Sequence, residues 1–153
     1  MNELLRKFPR SMESLLDILH AIQDADPQHH LSDEALQAAA EYVGAPLSEV
    51  VSTATFYTMY SRTQRGRHII RLCESPPCQL LGAETLGEVL ADGLGVAVGE
   101  TTADGAFTLE TTSCLGACAE GPAMMVDDRV YGDLTKEKVL SVIAEVRRSD
   151  ATR

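Results

Sequence analysis

The 153-residue sequence lacks the marks of several large protein classes. No apolar run approaches the roughly 20 residues that a helix needs to span a bilayer, and residues 1–10 lack the apolar stretch and cleavage site of a signal peptide. Basic residues number 13 against 23 acidic ones, and the net charge of −10 argues against nucleic acid or an anionic membrane surface as a partner. These absences predict a cytosolic protein without direct membrane insertion.

Motifs for nucleotide cofactors and for nucleophilic catalysis are missing as well. The run Gly93-Leu94-Gly95 lacks the third glycine and the strand–helix context of a dinucleotide fingerprint, and no phosphate loop is present. We therefore do not expect this chain to bind NAD or a flavin by itself. No Ser/His/Asp or Cys/His arrangement pairs a nucleophile with a base, so no catalytic residue is predicted.

Cysteine is scarce, and all four cysteines stand in two close pairs. Cys73 and Cys78 read C-E-S-P-P-C, Cys114 and Cys118 read C-L-G-A-C, and 35 residues separate the pairs. In a reducing cytosol, paired thiols are more often metal ligands or redox groups than structural disulfides. Four soft thiolates in two pairs suit a [2Fe–2S] cluster or an all-cysteine zinc site.

The spacing favours iron–sulfur over the alternatives but leaves them open. Zinc knuckles and thiol-exchange sites usually use CxxC hooks, whereas the spacings here are CxxxxC and CxxxC. None of the four histidines falls inside either cysteine loop, which argues against a Rieske-type site; His20, His29 and His30 are predicted at the surface. A zinc-stabilised interaction module therefore stays as a second hypothesis.

Residues 1–61 have the periodicity of three short amphipathic helices. The first ends at Pro27, the second runs from a cap at Ser32 to Gly44, and the third begins at Pro46. Their predicted inner faces are Met12, Leu15, Leu16, Leu19 and Ile22, then Leu36, Ala39, Ala40 and Val43, then Leu47, Val50, Val51, Ala54 and Tyr57. This region predicts a small N-terminal helical bundle.

Residues 62–153 have the pattern of a second domain, an α/β sandwich. A polar linker at 61–67 leads into a strand at 68–72, and a helix is predicted over 79–92. The dipeptide Asp104-Gly105 predicts a hairpin between strands at 98–102 and 107–112. Strands at 123–126 and 129–131 and a last helix opening at Thr135 follow.

Two further groups of side chains can be interpreted either as structural or as part of a binding surface. Four arginines in and after the linker are interpreted as solvated in preference to a docking patch for an acidic partner: Arg62, Arg65, Arg67 and Arg71. Three aromatic residues at the end of the third helix are interpreted as core in preference to interface: Phe56, Tyr57 and Tyr60.

Several short stretches carry a resemblance to a known family. They are Ala54-Thr55-Phe56-Tyr57-Thr58-Met59-Tyr60, the two cysteine motifs, Gly82-Ala83-Glu84, the run from Gly99 to Leu109, Tyr131 and Leu134-Thr135. In this order they resemble the small thioredoxin-like [2Fe–2S] subunit of NADH-oxidising complexes. That family includes the peripheral subunit of respiratory complex I and subunits of NAD-linked or electron-bifurcating hydrogenases and NAD-dependent formate dehydrogenases.

The resemblance implies a fold, a cofactor and a partner. The fold would be a three-helix unit followed by a thioredoxin-like domain, and Cys73, Cys78, Cys114 and Cys118 would ligate one [2Fe–2S] cluster. The chain would carry single electrons in an oxidoreductase complex. FMN and the NADH site would lie on a flavoprotein partner, with further iron–sulfur subunits nearby, and the complex could attach peripherally to the inner membrane. A free-standing shuttle ferredoxin is the remaining alternative.

This chain departs from the family pattern in two places. Pro76-Pro77 replaces the usual polar or small residues of the first loop, and Gly121-Pro122 stands where Ala-Pro is common. Pro122 is also where a thioredoxin-like fold often places a cis proline.

Overall fold

A computed structural model describes residues 1–150, and it divides the chain into two compact units. The first is Met1–Arg65 and the second is Gly66–Arg153. The predicted domain boundary between residues 61 and 62 stays a prediction. Within residues 1–150, no helix is both long enough and apolar enough to cross a membrane.

The first unit is built from helices, as the periodicity predicts. A short helix α1 (Asn2–Leu5) precedes three longer ones: α2 (Leu15–Ala25), α3 (Asp33–Val43) and α4 (Leu47–Phe56). The Ser32 hydroxyl caps α3 by accepting a hydrogen bond from the Ala35 N–H, and Gly44 ends it in the left-handed conformation. Helix α1 and a 3₁₀ turn at Met12–Ser14 were not predicted.

The core of this unit is narrower than the predicted apolar stripes. Ile18, Leu19, Leu36 and Val50 are fully buried. In contrast, four residues that were predicted to face inward are exposed. Leu16 and Leu47 lie in the first turns of α2 and α4, Met12 lies in the 3₁₀ turn before α2, and Tyr57 follows the end of α4. The helical register of the predicted apolar stripes was correct, but the stripes included residues that are exposed.

The second unit contains a four-stranded mixed sheet. Its strands are β1 (His68–Cys73), β2 (Phe107–Thr112), β3 (Met124–Val126) and β4 (Arg129–Tyr131), in the spatial order β2-β1-β3-β4. The β1–β2 pair is parallel, and the β1–β3 and β3–β4 pairs are antiparallel. With its helices, this sheet forms the predicted thioredoxin-like α/β fold.

Three helices accompany the sheet: α5 (Pro76–Leu80), α6 (Ala83–Leu94) and α7 (Lys136–Asp150). Leu86 and Leu90 of α6 and Val139 of α7 pack with Ile70 and Phe107 of the sheet in one hydrophobic core. The Thr135 hydroxyl accepts a hydrogen bond from the Lys138 N–H, which places the start of α7 as predicted.

The single helix predicted over 79–92 is wrong. The chain forms α5 and α6 with a break at Leu81 and Gly82, and Gly82 has a φ of +93° that a continuous helix cannot contain. Leu80 and Leu81, two of the apolar residues within the predicted helix, are exposed. The leucine spacing matches a helix, but it does not reveal the change of direction.

The hairpin at Asp104-Gly105 forms with only one of its two predicted strands. Strand β2 has the predicted bounds, whereas 98–102 contributes one isolated bridge, between Thr101 and Thr108. The turn is held by the Asp104 carboxylate, which accepts hydrogen bonds from the Thr102 hydroxyl and the Ala106 N–H.

The arginine group is not uniformly solvated. Arg62 and Arg67 are exposed, as predicted for a linker, but Arg65 and Arg71 are buried. The Arg65 side chain donates from Nε to the His29 carbonyl at 2.8 Å. Arg71 lies on the central strand β1 opposite Glu110 of β2, with Nε 3.1 Å from Oε2. A buried charged side chain must be paired, and Glu110 is the partner of Arg71.

Candidate metal centre

Both cysteine pairs lie at the edge of the sheet where the parallel strands β1 and β2 end. Cys73 is the last residue of β1 and is in register with Thr112, the last residue of β2. Cys114 follows two residues later. Because the carboxyl ends of parallel strands meet at one edge, the fold brings together loops that are distant in sequence.

The first pair is buried. Cys78 lies in α5, and its thiol and that of Cys73 pack with Ala83 and Ala123 in a small separate cluster. The Cys73 N–H donates to the Ala123 carbonyl at 3.0 Å, which ties this strand end to the segment entering β3. That segment contains the Gly121–Pro122 peptide bond, which is cis.

Gly121 lies beside the side chains of the first cysteine loop. A Cβ atom at this position would lie 2.9 Å from Cδ1 of Leu81 and 3.9 Å from Sγ of Cys78. The departure from the common Ala-Pro pattern at this position therefore coincides with a narrow space between the first cysteine loop and residue 121.

The second pair is exposed. The Sγ atoms of Cys114 and Cys118 are 3.3 Å apart, and the Gly116 N–H donates to Cys114 Sγ at 3.4 Å. Gly116 has a φ of +79°, a conformation that glycine adopts without strain, and this turns the loop so that both thiols lie on the same side.

Backbone donors surround the buried sulfurs. Burial raises the pKa of the Cys73 thiol. Hydrogen bonds from the N–H groups of Ser75 and Leu115, and contacts with the Cys78 thiol and the Ser75 hydroxyl, lower it by more. The pKa of Cys73 therefore lies below the ordinary value. Burial and the neighbouring Cys73 raise the pKa of Cys78, despite an opposing contribution from the Ala123 N–H.

The exposed pair is coupled to the buried one. The adjacent Cys114 is the main cause that raises the pKa of the Cys118 thiol, and the charge of Cys73 contributes as well. A coordinating thiol is deprotonated outright, and thiolates close together repel one another. A bound cation relieves this repulsion.

The arrangement of the donors fits a binuclear cluster. All four are thiols, grouped two and two, with contacts within Cys73/Cys78 and within Cys114/Cys118. A [2Fe–2S] cluster takes two thiolates on each iron, whereas a structural zinc ion takes four around one centre. Within residues 1–150, no three or more His, Cys, Asp or Glu side chains gather around a single point.

The four cysteines stay a prediction as ligands, and sequence reasoning did not identify the groups around them. The N–H groups of Leu115 and Ala123 that point to the buried sulfurs depend on loop conformation, for which the sequence carries no signal. Ser75 could have been singled out as a hydroxyl within the first cysteine loop. His68 lies at the opposite end of β1 from Cys73, between Asp127 and Asp150.

Comparisons with known proteins found a family profile and similar sequences. The profile of the thioredoxin-like [2Fe–2S] ferredoxin family matches residues 1–147. The E subunit of NADH-quinone oxidoreductase from Pseudomonas aeruginosa is 42% identical over 111 residues, which are 72% of this chain and 67% of that protein. The corresponding protein of Escherichia coli strain K12, which bears the same name, is 42% identical over 107 residues, 70% of this chain and 64% of that protein.

A solved structure shares the fold. A chain of an NAD⁺-reducing [NiFe]-hydrogenase in the air-oxidised state superposes with a TM-score of 0.78 at 23% identity, over 92% of this chain and 24% of the hydrogenase chain. The chain thus spans about two thirds of the length of the curated relatives and about a quarter of the hydrogenase chain.

Proposed function

Because the chain belongs to the thioredoxin-like [2Fe–2S] ferredoxin family, we propose that Cys73, Cys78, Cys114 and Cys118 ligate one [2Fe–2S] cluster. The observation that carries the proposal is the grouping of two thiol pairs, one buried and one exposed, at a single edge of the sheet. When bound, such a cluster supplies one-electron redox chemistry.

The surrounding residues have separate tasks in this proposal. The buried pair Cys73/Cys78 anchors the site in the fold, and the N–H groups of Ser75, Leu115 and Ala123 stabilise negative charge on its sulfurs. The exposed pair Cys114/Cys118 gives a partner's redox group a close approach. None of the four cysteines acts as an acid, base or nucleophile, and the isolated chain has no substrate site of its own.

The proposed role is that of an electron-carrying subunit in an NADH-oxidising or NAD-reducing complex. Relatives at 42% identity are named as a subunit of NADH-quinone oxidoreductase, and this sequence has no dinucleotide fingerprint. FMN and NADH are therefore assigned to a flavoprotein partner. The complex is of the NADH dehydrogenase, hydrogenase or formate dehydrogenase type.

The surface beside the cysteines suits contact with a partner protein. Leu80 is 89% exposed and Leu81 is 55% exposed, two and three residues after Cys78 in the sequence. The loops 73–83 and 113–123 contain Glu74 and Glu120 but no Lys or Arg. Exposed leucines with an acidic rim favour a partner surface that is apolar at its centre and basic at its edge.

Metal analysis of anaerobically purified protein tests the cofactor. We expect equal amounts of iron and acid-labile sulfide, at two of each per chain, and an EPR signal that develops on one-electron reduction. Cys73→Ala and Cys114→Ala should each abolish the signal, while the neighbouring Ser113→Ala should keep it. Stoichiometric zinc with no sulfide would overturn the proposal in favour of an interaction module.

Co-purification separates a complex member from a shuttle. At native expression, a member of a complex should elute with an NADH-oxidising flavoprotein at constant stoichiometry. A cluster-loaded protein that elutes alone would support a free-standing ferredoxin and would contradict the assignment to a complex.

A further inference from the structure

The end of α4 exposes an aromatic patch, which we define as Phe56, Tyr57, Met59 and Leu16. The aromatic side chain of Phe56 is 76% exposed, and those of Tyr57, Met59 and Leu16 are also exposed. Single exposed apolar residues are ordinary, but a contiguous group usually marks a binding surface. The interpretation of this aromatic group as core is therefore wrong for Phe56 and Tyr57, and correct for the buried Tyr60.

The aromatic patch is continuous. The Phe56 and Tyr57 rings meet edge to face with centroids 5.1 Å apart, and the Tyr57 and Tyr60 centroids are 6.2 Å apart. The Tyr60 hydroxyl donates to the Leu16 carbonyl at 2.9 Å, which joins the segment after α4 to the exposed side of α2. The buried Tyr60 thus links the exposed aromatic rings to the backbone of Leu16.

Hydrogen bonds from a buried side chain hold the backbone of the segment that follows α4. The buried Gln23 side chain donates from Nε2 to the Met59 carbonyl at 2.9 Å, and its Oε1 accepts from the Ser61 N–H at 2.7 Å. The backbone that follows α4 is therefore held in place before any partner arrives. A preordered surface loses less conformational entropy on binding than a mobile one.

The surroundings of the aromatic patch are acidic. Burial raises the pKa of Tyr60 to about 12, and the carboxylates of Asp17 and Asp24 on α2 add to the rise. Helices α2, α3 and α4 contain no Lys or Arg. A second copy of this chain would bring the same aspartates against these, so charge disfavours self-association through this face.

We infer that the aromatic patch is a docking surface for the flavoprotein partner, whose contact region presents an apolar pocket edged by Lys or Arg side chains. The inference rests on the proposed function, since it takes the chain to work within a complex. It adds that the helical unit holds the partner through residues that do not belong to the cysteine site. Tyr, Phe and Met at a preordered surface have the composition of interface anchors.

Binding of purified partner by matched variants tests the inference. The full chain, loaded with its cluster, is measured against the NADH-oxidising flavoprotein of the same organism. The double variant Phe56→Ala, Tyr57→Ala should raise Kd about 30-fold or more, the effect of losing one interface hot spot. Leu47→Ala removes a side chain of α4 that is 41% exposed, and Kd should change less than about twofold.

A second variant tests the charge argument. Asp17→Asn with Asp24→Asn should lower the association rate and flatten its dependence on salt, while the dissociation rate stays that of the wild type. Iron, sulfide and the EPR signal should be unchanged in all three variants, which shows that each is folded and loaded.

Three results would count against the inference, and they are distinguishable. Wild-type affinity in the Phe56/Tyr57 variant would overturn the role of the patch and leave the proposed function standing. A loaded wild-type chain that does not bind the flavoprotein would contradict the proposed function itself. A wild-type dimer that dissociates in the Phe56/Tyr57 variant would assign the patch to a second copy of the chain.

Discussion

Gly132→Ala is a steric test of the packing behind the second cysteine loop. A Cβ atom at position 132 would lie 2.6 Å from Cβ and 2.7 Å from the carbonyl oxygen of Glu120, where non-bonded carbon atoms prefer about 3.5–4.0 Å. One of the two backbone segments must therefore move by about 1 Å. Gly132 is not in the left-handed conformation, so alanine causes no φ strain there.

Overpacking of this kind typically costs about 1–3 kcal/mol. Urea unfolding of the wild type and the variant should show a loss of stability in that range. Glu120 ends the 3₁₀ turn that begins at Cys118, so the displacement should also reach that thiol. We therefore expect the variant to release iron to a chelator faster than the wild type, measured by the decay of the visible absorbance.

Gly93→Ala is the matched control. Its Cβ would lie 3.1 Å from Cδ2 of Leu140, an exposed and flexible side chain, and alanine inside a helix is favoured over glycine by about 0.5–1 kcal/mol. This variant should be neutral or slightly more stable, with unchanged iron release. A Gly132→Ala protein that unfolds at the wild-type urea concentration would refute the steric argument.

Three other outcomes are expected. Both ring nitrogens of His68 form hydrogen bonds with carboxylates, Nδ1 with Asp127 at 2.7 Å and Nε2 with Asp150 at 2.9 Å. Burial lowers the pKa of His68, but these two hydrogen bonds raise it by more, so that the pKa lies above 6.5. The protonated His68 stabilises the folded state fully below pH 6.5, and this stabilisation is lost as the pH rises through the higher folded-state pKa. The free energy of unfolding should therefore fall over that pH interval in the wild type and stay flat in His68→Gln. Removal of iron by a chelator should lower the unfolding temperature, because a group that binds only the folded state stabilises it; an unchanged temperature would contradict a cluster that spans both cysteine loops. Ser75→Ala should lower the reduction potential in a protein-film measurement, since the hydroxyl contacts the Cys73 sulfur and stabilises its negative charge; an equal or higher potential would show that the hydroxyl does not act on the cluster.

Local signals in the sequence predicted much of the fold. Helix α3 has both a capping serine and a terminal glycine. Strand β1 contains Ile69, Ile70 and Leu72 after a polar linker, and β2 follows the Asp104-Gly105 turn, so their limits were close to those observed. The break at Gly82 was missed because the leucines on either side keep helical spacing. The burial of Arg71 was missed because nothing local shows that β1 becomes the central strand.

The candidate site divides in the same way. Four cysteines in two pairs are plain in the sequence, and their spacing was enough to favour iron–sulfur over zinc. The division into a buried and an exposed pair was not predictable, because it depends on how α5 and Ala123 cover Cys73 and Cys78. Which backbone N–H groups face the sulfurs is likewise decided by tertiary structure.

The unequal burial of the two cysteine pairs has a consequence for how the site is damaged. A chelator, an oxidant or an alkylating reagent can reach Cys114 and Cys118 from solvent, whereas Cys73 and Cys78 lie beneath protein atoms. Chemical attack should therefore proceed from one side, with the first modified thiols at 114 and 118. The thiols of Cys73 and Cys78 should then remain unmodified after the first exposure to such a reagent.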